Sequence, residues 1–188
     1  TFGTTANSQT TTPHGTFEWH LDRIEDVLGN DLEASYARDG GAMSLQQIRY
    51  AGNRLTGFRP PYRVEFITEP RPDVTTSFRI GSRVTTARRL ARVEVFVGDT
   101  LIRRYLFGYT ISPDSGRSRL SGITHVGSDG TTSLPPLTLR YATNPGGWRP
   151  DATWTIPDGT FVRDGMDQGR RLADLNGDGL VDLAVGKG

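Results

Sequence analysis

The feature that most constrains the fold is the division of the chain into short stretches in which apolar and polar side chains alternate. These stretches are rich in Val, Ile, Thr, Tyr, Phe and Trp, and 23 glycines and 11 prolines separate them. A period of two is typical of β-strands with one buried face, whereas an amphipathic helix repeats every three to four residues. We therefore expect strands along the chain, and the sequence gives little reason to place a helix anywhere.

The turn signals between these stretches predict antiparallel hairpins. The clearest one joins the alternating residues 90–97, through Gly98–Asp99, to a return strand that contains Tyr105. Gly29–Asn30 and Asp39–Gly40 predict further tight turns, because such pairs readily adopt a positive φ. Strands that recur about every ten residues predict an all-β fold, either an antiparallel β-sandwich or a barrel-like module of hairpins.

Shifts in composition divide the sequence into four predicted segments. Residues 1–15 form a Thr-rich lead-in, residues 16–142 the antiparallel β module, residues 143–169 a Pro/Gly-rich connection, and residues 170–188 the start of a second unit. The first residue is not Met and the last is Gly188, so we expect the chain to be a segment of a longer protein.

Overall composition excludes several classes of function. Lys+Arg 22 against Asp+Glu 21 gives a formal net charge of +1, which does not predict a nucleic-acid partner. The chain has no cysteine, and this excludes disulfides, thiolate catalysis and thiolate metal sites. Because no run reaches 18 apolar residues, we expect no membrane insertion by this segment.

The stretch "DLNGDGLVDLAVG", residues 174–186, places oxygen-bearing side chains on alternate positions of a short loop. When Asp174 is counted as the first position, Gly179 is the sixth and supplies a sharp turn. Five residues of the loop offer oxygen ligands: Asp174, Asn176, Asp178, Leu180 through its carbonyl, and Asp182. Hard oxygen ligands at this spacing suit Ca²⁺, and the loop lacks the nitrogen and sulfur donors that Zn²⁺ prefers. We predict a structural calcium site.

The loop departs from an EF-hand in two ways. Its twelfth position is Val185 rather than a bidentate Glu, and its apolar flanks have the pattern of strands rather than helices. The alternative is a polar turn without a metal, because Asp, Asn and Gly dominate turns in any case.

The framing "RRLADLNGDGLVDLAVG" closely resembles the FG-GAP or VCBS repeat, the calcium-loop blade element of integrin-type β-propellers. The preceding sequence resembles the region that accompanies such blades in SpvB-type and insecticidal Tc-toxin B-subunit proteins, ahead of their Rhs/YD repeats. The stretches that carry this resemblance include "FEWHLDRIEDVLGNDLEASYARDGG" and "TARRLARVEVFVGDTLIRRYLFGY". The resemblance implies that the β module leads into the start of a propeller blade and that the five loop residues bind Ca²⁺.

The same resemblance implies a function. The implied function is that of a non-enzymatic structural module in a large secreted bacterial toxin shell. Such a module helps to carry or encapsulate a toxic C-terminal cargo. The implied partners are other domains or subunits of a toxin complex, and the implied location is extracellular. An extracellular adhesion or glycan-binding β module is the alternative, and a hydrolase with a site at the sandwich edge is a third hypothesis.

Other candidate chemistry has a simpler structural explanation in each case. His14, His20 and His125 are far apart in sequence, and we expect them on strand faces or in loops. Paired glycosidase carboxylates could be drawn from Asp22, Glu25 and Asp26, but exposed hairpin ends explain these residues better.

Pairs of arginines could line a nucleic-acid groove with Tyr105 and Phe107. Nearby acidic residues make a salt-bridged sheet surface the better explanation for the pairs Arg88–Arg89, Arg103–Arg104 and Arg170–Arg171. Aromatic residues could line a sugar groove, but alternation favours the core for most of the set Trp19, Tyr36, Tyr50, Phe66, Phe96 and Tyr109.

Overall fold

A computed structural model describes residues 1–142 and 159–186 of the chain. The chain divides into two units, Thr1–Asn144 and Pro145–Gly188, which we describe separately. Most of the predicted connection, with Trp148 and Trp154, lies outside the described residues. The predicted lead-in contains a single 3-10 turn, Ala6–Ser8, and the first strand.

The described residues of the first unit form ten strands. Their bounds are β1 Gln9–Thr12, β2 Gly15–Trp19, β3 Arg23–Glu25, β4 Asn30–Asp39, β5 Ala42–Asn53, β6 Tyr62–Ser77, β7 Val84–Val97, β8 Thr100–Ile111, β9 Ser118–Val126 and β10 Leu137–Thr138.

The strands from β3 to β10 form one antiparallel sheet of eight strands in which each strand pairs with its neighbours in sequence. The prediction of an all-β, antiparallel fold built from hairpins is confirmed. The barrel form of that prediction is not realised, because the short strands β3 and β10 lie at opposite edges of an open sheet and do not pair with each other. β1 and β2 form a separate two-stranded sheet.

The predicted turns connect the strands as expected. Val97 pairs with Thr100, so Gly98–Asp99 is the two-residue turn between β7 and β8, and Gly98 has a φ of 56°. The β4–β5 turn follows Asp39 and consists of two glycines with positive φ, Gly40 and Gly41. At the β3–β4 turn, Gly29 takes a positive φ but Asn30 already belongs to the strand.

Strand β6 is longer than its alternating sequence indicates. The pattern ends near Glu69, whereas the strand continues through Pro70 to Ser77. The register with β7 shifts between Pro70 and Thr75, and a bulge of this kind accommodates prolines that a regular ladder would exclude.

Ala51 occupies a backbone conformation that normally requires glycine. It lies at the register shift where Asp31 pairs with Gly52 and Leu32 with Tyr50, and its φ is 64°. For an L-residue with a Cβ atom this conformation costs about 1 to 2 kcal/mol.

We therefore expect Ala51→Gly to raise the free energy of unfolding by about 1 kcal/mol, since the strain disappears. Ala34→Gly is the matched control, because Ala34 lies in β4 without a positive φ, and glycine there should lower stability by about 0.5 to 1 kcal/mol. Urea denaturation of both variants measures the difference. A loss of stability in both would show that Ala51 is not strained.

The described part of the second unit contains two hairpins. Their strands are β11 Val162–Arg163, β12 Met166–Asp167, β13 Arg170–Ala173 and β14 Asp182–Val185. β11 pairs with β12, and β13 pairs with β14 from Arg170↔Val185 to Ala173↔Asp182. The apolar flanks of the predicted calcium loop are therefore strands, as their sequence indicated.

Candidate functional site

The predicted calcium loop is the connection between β13 and β14. Its carboxylates accept hydrogen bonds from the loop backbone: Asp174 Oδ1 from the Gly177 N–H at 2.7 Å, and Asp174 Oδ2 from the Gly179 N–H at 3.0 Å. Asp182 Oδ2 accepts from the Leu175 N–H at 2.9 Å and so closes the base of the loop. These bonds fix the loop as a compact polar turn.

Asp178 lies at the exposed tip of this loop. The Leu180 N–H donates to Asp178 Oδ1 at 2.8 Å, and Asn176 Nδ2 donates to Asp178 Oδ2 at 2.9 Å. The hydrogen bond from Leu180, followed by that from Asn176, holds the pKa of the Asp178 carboxyl below its ordinary value of 3.8. The carboxyl is therefore ionised at neutral pH.

The donor set of the loop is made of oxygen atoms and fits Ca²⁺ in its chemistry. Each carboxylate oxygen in a backbone hydrogen bond keeps a further lone pair for a metal. Among the described residues, however, no three His, Asp or Glu side chains converge in a group that could hold a metal ion. Binding of Ca²⁺ would require the loop carboxylates to turn toward a common centre, and the calcium site stays a prediction.

One face of the eight-stranded sheet is mainly apolar along β4 to β8, with Arg103, the partner of Val95, on the same side. Residues paired directly across antiparallel strands point to the same side, so the rows Leu32↔Tyr50↔Tyr62↔Val97 and Phe66↔Val93↔Tyr105 share one face. We call this the apolar face and define it by ten residues: Leu32, Ile48, Tyr50, Tyr62, Val64, Phe66, Val93, Val95, Val97 and Tyr105. The rings of Tyr50 and Tyr62 stack with centroids 5.2 Å apart.

The apolar face is not covered by the described residues. None of its ten side chains is buried, and Tyr62 and Val97 are 38% and 41% exposed. In the described residues Val126 is the one buried hydrophobic side chain. The expectation that the aromatics lie in a core is therefore wrong: Trp19 is exposed, and the other five members of that set are half-buried.

The opposite face carries the predicted salt bridges. Glu94 is 8% exposed and accepts hydrogen bonds from Arg104 Nε at 2.6 Å and from Arg92 Nε at 3.0 Å. Arg63 Nε lies 2.8 Å from Glu65 Oε1 and its guanidinium lies over the Phe96 ring. In β7, Arg89 pairs with Glu69 at 2.7 Å. Arg104, Arg89 and Arg63 connect neighbouring strands, whereas Arg92 pairs within its own strand, and together they form the predicted salt-bridged sheet surface.

The second unit holds the remaining arginine pair. Arg171 makes a bidentate pair with Asp167, with distances of 3.0 and 2.6 Å. The Arg171 guanidinium, followed by the Gly169 N–H, lowers the pKa of Asp167 to about 2. Arg170 is buried and donates from Nη1 to the Thr160 carbonyl at 2.7 Å.

Two of the three histidines lie against aromatic rings. The His20 ring lies 5.0 Å from Tyr36, with Nε2 3.2 Å from Thr10 Oγ1 and 3.6 Å from Glu18. The His125 ring stacks on Tyr105 at 5.0 Å. Both histidines lie in or beside strands, where the sequence placed them.

Asp22 is not at an exposed hairpin end, and that expectation is wrong. It is 7% exposed, and its carboxylate accepts hydrogen bonds from the Thr4 N–H and from three hydroxyls: Thr1 Oγ1 at 3.0 Å, Thr4 Oγ1 at 2.6 Å and Ser8 Oγ at 2.9 Å. Its partners lie 14 to 21 positions away, so local sequence could not reveal them. The carboxylate fastens the first eight residues to the sheet edge.

The other two acidic residues of that group do lie at a hairpin end. Asp26 accepts hydrogen bonds from the Leu28 and Asn30 N–H groups, each at 2.9 Å, and so shapes the turn. Glu25 pairs with Arg54 at 3.0 Å.

Sequence reasoning did not find another buried carboxylate, that of Asp73. Its side chain is 5% exposed and accepts from Arg71 Nε at 3.0 Å, Arg71 Nη2 at 2.6 Å and the Ser118 N–H at 2.9 Å, as well as from the Ser118 hydroxyl. Arg71, followed by Ser118, holds the pKa of Asp73 far below its ordinary value. We call Arg71, Asp73 and Ser118 the β6–β9 tie.

Comparisons with solved structures identify the fold. The crystal structure of TcdB2-TccC3 matches 97% of this chain with a TM-score of 0.67 and 18% sequence identity, and a related structure, TcdB2-TccC3-TEV, matches 97% with a TM-score of 0.69 and 19% identity. The N-terminal domain of the effector protein SpvB from Salmonella typhimurium strain LT2 matches 67% of the chain with a TM-score of 0.57 and 16% identity. The chain shares its fold with these toxin proteins.

The match covers a small part of the larger neighbours. The chain spans 12% and 11% of the two TcdB2-TccC3 chains and 57% of the SpvB chain. At 16 to 19% identity the likeness is one of fold. No protein-family model matches the sequence, and no curated protein matches it. Among the described residues, no helix has the length and apolar character needed to cross a membrane.

Proposed function

We propose that the chain is a non-enzymatic structural module of a large secreted bacterial toxin-shell protein, which helps to carry or encapsulate a toxic C-terminal cargo. The observation that carries the proposal is the match of 97% of this chain to 12% of TcdB2-TccC3. A further neighbour is TcdB2-TccC3 without its hypervariable C-terminal region, which matches 74% of the chain with a TM-score of 0.61.

The exposed apolar face supports a role inside a larger assembly. A row of aromatic and β-branched residues on one face needs cover from another layer, and a contiguous exposed apolar surface is typical of a site that binds another protein, a membrane or a ligand. The partners we propose are other domains or subunits of the same toxin complex.

The proposed absence of catalysis has support from the placement of the titratable groups. Asp22 and Asp73 accept hydrogen bonds from residues distant in the sequence, and Glu94 accepts from Arg92 in its own strand and from Arg104 in the neighbouring strand. His20 and His125 lie against aromatic rings. These groups stabilise the fold, and none of the contacts named here pairs a nucleophile with an adjacent base.

Protease protection tests the shell proposal. In the full-length protein that contains this chain, we expect the C-terminal portion to resist trypsin, whereas the same portion expressed alone is cut rapidly. Removal of the segment that corresponds to residues 1–142 should abolish the protection. Equal cleavage rates with and without that segment would contradict the proposal.

We also propose that the β13–β14 loop binds Ca²⁺ as a structural staple in an extracellular module. Extracellular calcium modules have dissociation constants of about 10⁻⁴ to 10⁻³ M. Calcium at a hundredfold excess over its dissociation constant should therefore raise the melting temperature of the second unit by roughly 10 °C or more relative to chelator.

The variant Asp178→Ala should lose this calcium-dependent rise and melt like the unaltered chain in chelator. Asp129→Ala is the matched control, because Asp129 also accepts hydrogen bonds from nearby N–H groups in an exposed turn but lies outside the loop. Differential scanning calorimetry with and without calcium measures both. Identical curves in calcium and in chelator for the unaltered chain would show that the loop is a polar turn.

A further inference from the structure

The ladder between β5 and β6 is much shorter than the strands that form it. β5 has 12 residues and β6 has 16, but they pair only from Gln47↔Glu65 to Tyr50↔Tyr62. Beyond these pairs, residues 42–46 continue as a strand bonded to β4, and residues 66–70 continue as a strand bonded to β7. Each therefore presents an open edge toward the other, and we call the space between them the β5–β6 split.

Two bulges produce the split. Ser35 pairs with Gln47 and Tyr36 with Leu45, so Gln46 is an extra residue in β5. Ile67 pairs with Arg92 and Thr68 with Leu90, so Ala91 is an extra residue in β7, beside the open part of β6. A bulge bends its strand and ends regular pairing. The β5 bulge lies directly at the end of the ladder, and the β7 bulge lies against the open part of β6, two to three residues beyond the last pair.

The split is a real cleft. Its volume is about 430 Å³, and its borders include consecutive residues of both strands: Gln46 and Gln47 of β5, and Glu65, Phe66, Ile67 and Thr68 of β6. Consecutive residues of a strand point to opposite faces of the sheet. A cleft lined by such runs is bordered by strand edges, where backbone N–H and C=O groups are available.

The border of the split carries one acidic and one basic side chain, Glu65 and Arg88, and the basic one is available to a ligand. Glu65 is already paired with Arg63 at 2.8 Å and accepts from Gln47 Nε2 at 3.3 Å. Arg88 is exposed at the border of the cleft and donates to Thr68, from Nη2 to the carbonyl at 2.8 Å and from Nε to the hydroxyl at 2.7 Å. Its guanidinium has five N–H donors, so further donors remain for an acidic ligand.

We propose that the β5–β6 split accepts an extended acidic segment of a partner polypeptide, which pairs with the open edges as an added strand. The two open edges require an extended backbone, because ladder hydrogen bonds are the interaction they offer. Five residues of open edge span about 16 Å, which corresponds to a segment of four or five residues. One acidic side chain in that segment pairs with Arg88. The proposal does not depend on the proposed toxin-shell function.

Hydrogen–deuterium exchange on the 188-residue chain tests the proposal, with the peptide acetyl-Thr-Val-Asp-Val-Thr-amide as probe. Without peptide, the amides of residues 43–46 and 66–69 that face the split should exchange faster than those of residues 47–50 and 62–65. At about 5 mM peptide, a concentration suited to millimolar affinity, these amides should exchange at least about fivefold more slowly.

Three matched controls separate strand pairing from other binding. The same peptide methylated on its three central amide nitrogens loses those ladder donors and should give much weaker protection. The peptide with Lys in place of Asp, and the protein variant Arg88→Gln, should each weaken the protection.

Three results would overturn the proposal. The first is full protection of the amides of both edges from exchange without peptide. The second is no slowing of their exchange at about 5 mM of the unmethylated peptide, a concentration suited to millimolar affinity. The third is equal slowing of their exchange by the methylated peptide.

Discussion

Replacing Asp22 with alanine should lower the free energy of unfolding of the first unit by about 3 kcal/mol. The change removes a 7% exposed carboxylate that accepts four hydrogen bonds. It leaves the Thr4 N–H without its acceptor, and the buried Ser8 hydroxyl keeps only the Thr5 carbonyl. Each buried polar group left unsatisfied costs about 1 to 3 kcal/mol. Urea denaturation followed by circular dichroism gives the value.

Asp99→Ala is the matched control, because Asp99 is a fully exposed carboxylate 3.7 Å from Arg63 and its loss should have little effect on stability. Equal losses from the two substitutions would contradict the role of Asp22. Amide exchange should also show that Asp22→Ala releases residues 1–12 from the sheet edge more than any other segment.

The contribution of Asp22 depends on pH in a defined direction. Burial raises the pKa of this carboxyl, but the hydrogen bonds from Thr4, Ser8 and Thr1 outweigh it and hold the pKa well below the ordinary 3.8. The folded state therefore keeps the carboxylate at a pH where the unfolded chain binds a proton. The stability difference between the unaltered chain and Asp22→Asn should be constant above about pH 5 and should shrink as the pH falls below 3.8.

Replacing Asp73 with alanine should lower the melting temperature of the first unit by roughly 10 °C, because it breaks the β6–β9 tie and leaves Arg71 without its carboxylate. β6 and β9 are separated by two strands in the sheet, and Asp73 and Ser118 are 45 positions apart. The tie is thus one of few contacts that join these strands, and ladder hydrogen bonds cannot replace it.

Ser118→Ala keeps the N–H bond to Asp73 and removes only the hydroxyl, so its melting temperature should fall less. The double variant should melt close to Asp73→Ala alone, since residues in direct contact are not additive. Two results would show that the tie does not hold the two strands together. One is strictly additive losses of melting temperature in the double variant. The other is a loss of melting temperature for Asp73→Ala that is no larger than for the exposed Asp39→Ala.

The sequence predicts those parts of the fold that depend on neighbouring residues. Gly98–Asp99 turns the β7–β8 hairpin because glycine supplies a positive φ at a point flanked by alternating strands. The apolar residues before Asp174 and after Asp182 predict the β13 and β14 strands on either side of the Asp-rich loop. These features need no knowledge of distant contacts.

Other features were out of reach because distant residues decide them. Alternation predicts that Tyr50 and Phe66 share an apolar face, but it does not say whether another layer covers that face. Asp22 and Asp73 are distinguished from surface carboxylates by donors far along the chain. The alternating pattern does not predict the bulges at Gln46 and Ala91, which open the β5–β6 split.

The central claim is that the apolar face of this sheet is an internal surface of a larger toxin-shell protein. Hydroxyl-radical footprinting of Tyr50, Tyr62, Phe66 and Tyr105, in the isolated chain and in the full-length protein, tests it most directly. We predict that labelling of these side chains falls several-fold in the full-length protein, while an exposed reference outside the apolar face, Phe78, stays reactive. Equal labelling of the four side chains in both samples would contradict the claim.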